Sequence, residues 1–130
     1  MKFSIIPGSS APYTLSVFRI AVGLLFIEHG TGKILNFPPI AAKMAEMMGS
    51  GFMNFTGFME LVGGALIVLG LFTRIAAFIL SGFMAAGYFM AHLPQGFFPV
   101  LNMGEAAALY SFAFLYLAAA GPGPWSIDRD

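Results

Sequence analysis

Apolar residues fill this chain in four long stretches, at about residues 13–34, 54–72, 75–93 and 104–120, and all eight prolines fall outside them. A helix crosses a hydrocarbon core of ~30 Å with about 20 residues, so each stretch is predicted to be a transmembrane helix. Successive crossings run in opposite directions, and short links make them neighbours. The expected architecture is an all-α integral membrane protein, an up-down four-helix bundle. It forms a single transmembrane domain over residues 1–130, with no room for a soluble one.

The breaks refine this expectation. Only Thr73 and Arg74 separate the second and third stretches, which predicts a tight antiparallel hairpin. Between the first and second, Phe37, Ile40, Ala41, Met44, Ala45 and Met48 share one helical face, with Lys43 and Glu46 on the other. That pattern predicts a short amphipathic helix over about 38–48, lying in the membrane interface. Pro38-Pro39 would start it and Gly49-Ser50-Gly51 would stop it. Asn102 stands three residues before Glu105, the spacing of a capping box at the start of the fourth helix. Trp125, after Gly121-Pro122-Gly123-Pro124, is placed as an interfacial anchor.

Composition changes the picture by exclusion. The chain is 58% hydrophobic and 9% charged, whereas soluble domains carry roughly 45–50% apolar and about 25% charged residues. A formal net charge of zero offers no basic surface to nucleic acid. The absence of cysteine excludes disulfides, thiolate metal sites and Fe–S ligation by this chain. Lys2, Arg74 and Arg129 fall on the side of the termini and Lys33 and Lys43 on the other, so the positive-inside rule predicts cytoplasmic termini. Helices in lipid associate through close packing and polar contacts. Gly63 and Gly64, the series Ala77, Ser81, Ala85, and the pair Ala107, Ser111 supply small residues for that packing.

Charges inside the spans are the candidate chemistry. Arg19, Glu28, His29, Glu60, His92 and Glu105 lie within or at the edge of the predicted helices. An ionisable group at bilayer depth is costly, and so it is usually paired, interior or functional. At ~1.5 Å per residue, Glu28, His29, Glu60 and His92 all fall ~21–25 Å from the terminal side, with Glu105 near the same level and Arg19 at only ~9 Å. The expectation is a shared level of three carboxylates and two imidazoles, with Lys33 just beyond. Arg19, Gly23, Phe26, Gly30 and Lys33 form one helical stripe expected to face the interior. Such a cluster suits proton exchange, with His29 and Glu60 as the exchanging pair. Arg19, Glu28, Lys33, His92 and Glu105 are the expected ligand-binding residues, and no metal site is expected because Glu28 and His29 are adjacent and point ~100° apart.

The ordered set Arg19…His29-Gly30-x-x-Lys33, Glu60-Leu-Val-Gly63-Gly64…Gly70-Leu-Phe-Thr73-Arg74, Asn102-x-Gly104-Glu105 and Gly121-Pro-Gly123…Asp128 resembles the DoxX family of small bacterial membrane proteins. The resemblance covers nearly the whole chain. It implies a four-helix transmembrane bundle in the bacterial inner membrane and a link to membrane redox chemistry, since DoxD relatives form the membrane subunit of a thiosulfate:quinone oxidoreductase. The resulting expectation is a quinone- or lipid-headgroup-binding membrane subunit of an oxidoreductase system. Its partners would be the bilayer, a quinone or small anion, and an oxidoreductase subunit or a second copy of the chain. Two alternatives stand beside it: a non-catalytic assembly partner, and an oligomeric transporter of a small solute.

Overall fold

The computed structural model describes residues 3–129, and every regular element in it is helical. The α-helices are α1 (Ala11–Leu35), α2 (Ala41–Met48), α3 (Ser50–Leu69), α4 (Thr73–Gly87), α5 (Pro99–Asn102) and α6 (Glu105–Ala120). Lys2, counted above for orientation, lies outside the described residues. Three helical stretches, Gly8–Leu35, Ser50–Leu69 and Thr73–Gln95, are long and apolar enough to cross a membrane. The fourth expected crossing, α6, has 16 residues and so measures only ~24 Å. It starts after the left-handed residue Met103 and ends at Gly121, whose φ of 87° breaks the helix.

Local sequence explains most of the boundaries. α2 begins at Ala41, three residues later than its pattern predicts. The Asn36 side-chain oxygen accepts from the Ala41 N–H at 3.1 Å and satisfies one of the free donors of the first turn. The break after α2 is a single residue. Gly49 takes φ 79°, and α3 resumes at Ser50 rather than near residue 54. α4 continues as a wider π turn over Tyr88–His92 and a 3-10 turn over Leu93–Gln95. The link before α6 contains the one-turn helix α5.

The helices pack as two pairs. α1 lies along α3 and α4 lies along α6, and the α3–α4 turn joins the pairs. Small residues allow the α1–α3 approach. A Cβ on Gly30 would stand 2.7 Å from the Leu61 backbone nitrogen, and one on Gly64 would stand 3.1 Å from the Ile27 Cα. α4 and α6 are pinned by a reciprocal exchange. The Ser81 hydroxyl donates to the Ser111 carbonyl at 2.7 Å, and the Ser111 hydroxyl donates to the Ser81 carbonyl at 3.0 Å. Between the pairs sit Val22, Phe26, Ile67, Ala77, Leu80, Phe114 and Leu117. Phe26 meets Phe114 edge-on with ring centroids 4.9 Å apart. The stripe Arg19, Gly23, Phe26, Gly30, Lys33 is the buried face of α1, as its period predicts.

Candidate functional site

The buried stripe of α1 carries Lys33 to the face of α3 that holds Thr56 and Glu60, two residues one helical turn apart. Lys33 Nζ lies 2.8 Å from Glu60 Oε1 and donates to Thr56 Oγ1 at 3.1 Å. The two charged side chains are 7% and 8% exposed. Coulomb attraction offsets the desolvation of such a pair only when the remaining polar atoms are also satisfied. Here they are not: Glu60 Oε2 is buried without a hydrogen-bond partner among the described residues.

Lys33, Thr56 and Glu60 line one end of a cavity of about 480 Å³. Phe52 and Phe55 of α3, Phe83 and Met84 of α4, and Met48 at the end of α2 supply apolar walls. The Met48 sulfur also lies 3.8 Å from Thr56 Oγ1, which ties α2 to the polar end. His92 reaches the same cavity from the π turn. Its Nδ1 is 3.0 Å from the Asn102 carbonyl, and its ring stacks on Tyr88 at 6.2 Å. Single π turns insert an extra residue into a helix and re-aim the side chains around it.

Asn102 holds this corner together by a different route from the one its spacing predicts. Its side-chain amide donates to the Gly96 carbonyl at 2.8 Å and to the Tyr88 hydroxyl at 3.2 Å, and its oxygen accepts from the Gly104 N–H at 2.9 Å. No capping box with Glu105 forms. The N-cap of α6 is Gly104, which has no side chain to offer.

The expected level of three carboxylates and two imidazoles does not assemble. The fold brings Lys33, Glu60 and His92 to one cavity and leaves Glu28, His29 and Glu105 exposed outside it. Each residue of a helix turns ~100° from the last. Glu28 therefore points roughly opposite the buried face that Phe26, Gly30 and Lys33 occupy, while His29 lies at the edge of that face and meets Tyr110 edge-on with ring centroids 6.0 Å apart. Depth along the axis was legible; direction around it separated these groups. Among the described residues, no three His, Asp or Glu side chains lie close enough together to hold one metal ion.

Arg19 belongs to a second polar centre at the opposite end of the helices. It is 1% exposed, and its guanidinium donates to the carbonyls of Ile67 at 2.9 Å, Val68 at 3.3 Å, Trp125 at 2.6 Å and Pro122. Two of these are carbonyls of the last turn of α3, and two belong to the chain after α6. Expected as an anion-binding residue, Arg19 has its donors committed to this cage. Sequence reasoning gave no role to Asp128. Its two carboxylate oxygens accept from the Phe72 and Thr73 N–H groups, each at 2.8 Å, and so cap α4 from the far end of the sequence. Partial burial would raise the Asp128 pKa, but hydrogen bonds from Thr73 and Phe72 and the charge of Arg19 hold it below the ordinary carboxylate value. Asp128 could be noticed in the sequence as an acid after a Gly-Pro-rich segment, but nothing there names its partner.

The sequence pattern of the family described as DoxX matches residues 14–93. An uncharacterized protein of Haemophilus influenzae is 46% identical over 121 residues, which is 91% of this chain and 90% of that protein. Inner membrane protein YqjF of Escherichia coli is 35% identical over 87% of this chain and 88% of its own length. Inner membrane protein YphA of the same organism is 32% identical over 94% and 93%. No solved structure matches.

Proposed function

This chain is a membrane protein that belongs to the DoxX family, and from that premise we propose that its cavity binds a membrane-dissolved amphiphile, a quinone or a lipid headgroup, in the service of an oxidoreductase system. The observation that carries this proposal is the buried Lys33–Glu60 pair with one carboxylate oxygen unpartnered, at the polar end of an otherwise aromatic and methionine-lined space. An apolar pocket with a few convergent polar groups is the usual form of a small-molecule site. Lys33 supplies a cation and donor, Glu60 an acceptor able to take a proton, and the phenylalanines a surface for a ring or acyl chain.

His29 is exposed, so the proton-exchanging role falls on Glu60 with His92 rather than on the pair His29 and Glu60. Glu28 and His29 instead present ionisable groups on the outer face of a span-length helix. Such groups are costly against lipid, which supports a partner subunit covering that face. In this proposal α6 makes a fourth, short crossing and the protein sits in the bacterial inner membrane. Lys33 is buried, which leaves Lys43 as the exposed cation of the loop side against Arg74 and Arg129 of the other. That balance favours cytoplasmic termini.

The test is direct binding. Purified protein in detergent, titrated with a short-chain benzoquinone and separately with phosphatidylglycerol, is expected to show a saturable rise in melting temperature with at least one of them. The rise should vanish in Lys33→Met/Glu60→Leu. If neither ligand shifts the wild-type melting temperature and none co-purifies, the proposed function is wrong.

A further inference from the structure

The polar atoms of the cavity do not balance. An ammonium group has three N–H donors, and Lys33 places two of them on Thr56 Oγ1 and Glu60 Oε1, leaving one. The Thr56 hydroxyl hydrogen is directed to the Met53 carbonyl at 3.1 Å or the Met48 sulfur at 3.8 Å. On the acceptor side, Glu60 Oε2 has no partner among the described residues. His92 Nδ1 faces the Asn102 carbonyl, which can only accept, so Nδ1 carries the proton. In the neutral ring Nε2 is then an acceptor as well. One N–H of Lys33 and one oxygen of Glu60 are thus left without a partner among the described residues, beside an apolar space.

We infer that the cavity selects an amphiphile whose head carries a hydroxyl group donating to Glu60, over the same amphiphile with a carbonyl or no donor in that place. The inference rests on the cavity being the ligand site proposed above. A hydroxyl serves both unmet needs: its oxygen accepts the last N–H of Lys33, and its hydrogen goes to the unpaired carboxylate oxygen. The terminal torsion of a glutamate is broad, so the carboxylate can turn that oxygen to the head group without moving the helix. A carbonyl accepts from Lys33 but leaves the carboxylate oxygen buried and unpaired, and so forgoes the second hydrogen bond. A hydroquinone and the glycerol head of phosphatidylglycerol share the required donor. A quinone and the methyl-capped phosphate head of phosphatidylmethanol lack it.

The experiment compares two matched pairs on the full chain in detergent micelles: a short-chain benzoquinol, kept reduced under anaerobic conditions, against its quinone, and phosphatidylglycerol against phosphatidylmethanol of the same chains, which keeps the anionic phosphate and has no hydroxyl. Dissociation constants are read by isothermal titration. The hydroxyl-bearing member of at least one pair is expected to bind about tenfold to a hundredfold more tightly, the range of a hydrogen bond to a charged group. A preference in the quinol pair alone assigns a redox lipid as the ligand, and one in the phospholipid pair alone assigns a structural lipid. Equal affinities within both pairs overturn the inference and leave the ligand site standing. Failure of all four to bind overturns both. In Glu60→Gln, Lys33 holds the amide oxygen and the NH2 group takes the place of the unpaired oxygen, so the preference should disappear or invert. A preference unchanged in a folded Glu60→Gln protein overturns the role of Glu60. Should that variant not fold, the wild-type comparison decides alone.

Discussion

A lysine and a glutamate buried together are far cheaper than either one alone, and this asymmetry sets the expected behaviour of the Lys33–Glu60 pair. Lys33→Met removes the cation and leaves a buried carboxylate without its ion-pair partner. A loss of about 3–5 kcal/mol is expected, as for other broken buried pairs. Lys33→Met/Glu60→Leu removes both charges and should recover most of that loss, while ligand binding stays abolished. Reversible unfolding in mixed micelles measures the two variants, and a double variant no more stable than the single one would contradict the pairing. Arg19 behaves differently because its partners are carbonyls and not a carboxylate. A planar fork of donors can reach carbonyls on two segments at once, and a single ammonium cannot. Arg19→Lys is therefore expected to cost about 1.5–3 kcal/mol despite keeping the charge, measured in the same assay, with cavity binding unaffected.

Among the helices, α4 has the least conventional start. It follows a turn with positive φ at Gly70 and Phe72, and Phe72, its N-cap residue, has no side chain able to accept from the first-turn donors. Asp128 supplies that acceptor from 55 residues away. Asp128→Ala is expected to destabilise by about 0.5–2 kcal/mol, as the loss of a helix cap does. The pH dependence follows from the sign of the shift. A carboxyl group whose folded pKa lies below its unfolded value contributes its full stabilisation above the ordinary carboxylate range and loses it as the pH falls toward the folded value. Stability measured across that acidic window should fall less steeply in Asp128→Ala than in the wild type; equal slopes would remove Asp128 from the account. The same element shows what sequence can reveal. Period and hydropathy located the α1 stripe from Arg19 to Lys33, because a helix repeats its face every three to four residues. They placed Glu60 and His92 at one depth, and both do line one cavity. The same stripe already implies that Glu28, roughly 180° from its centre, faces outward, so grouping it with Glu60 followed depth and ignored direction; His29, at the edge of the stripe, depends on the small rotation of α1 that tertiary packing sets. The role of Asp128 was unreadable for a further reason: a cap supplied across the molecule leaves no local spacing to read.

At the scale of the whole molecule, the two helical pairs meet through a core of Phe26, Ile67, Leu80 and Phe114, and α1 and α6 touch through large rings, such as Phe26 on Phe114 and Phe18 on Tyr116, more than through close backbone approach. The segment after α6 compensates at one end. Its Ile127 and Asp128 N–H groups donate to the Leu69 and Gly70 carbonyls at 3.2 and 2.8 Å, and its Trp125 N–H donates to Ser16 Oγ at 3.1 Å. Trp125 also packs on Tyr13 with ring centroids 5.5 Å apart. One strap therefore touches α1, the end of α3 and the start of α4, and it covers the guanidinium of Arg19. Truncation after Gly121 would strip two of the four carbonyls from that buried cation and both acceptors from the α4 cap. The consequences should be local. Amide exchange is expected to quicken at the Arg19 end of α1 and at the α3–α4 turn, while the cavity end, held by the Lys33–Glu60 pair and the Asn102 corner, keeps its protection. Hydrogen exchange by mass spectrometry of the truncated protein in micelles resolves the two ends. Quickening that spread equally to Lys33, Glu60 and His92 would mean that the strap and the cavity are one cooperative unit and not two polar centres at opposite ends of the same helices.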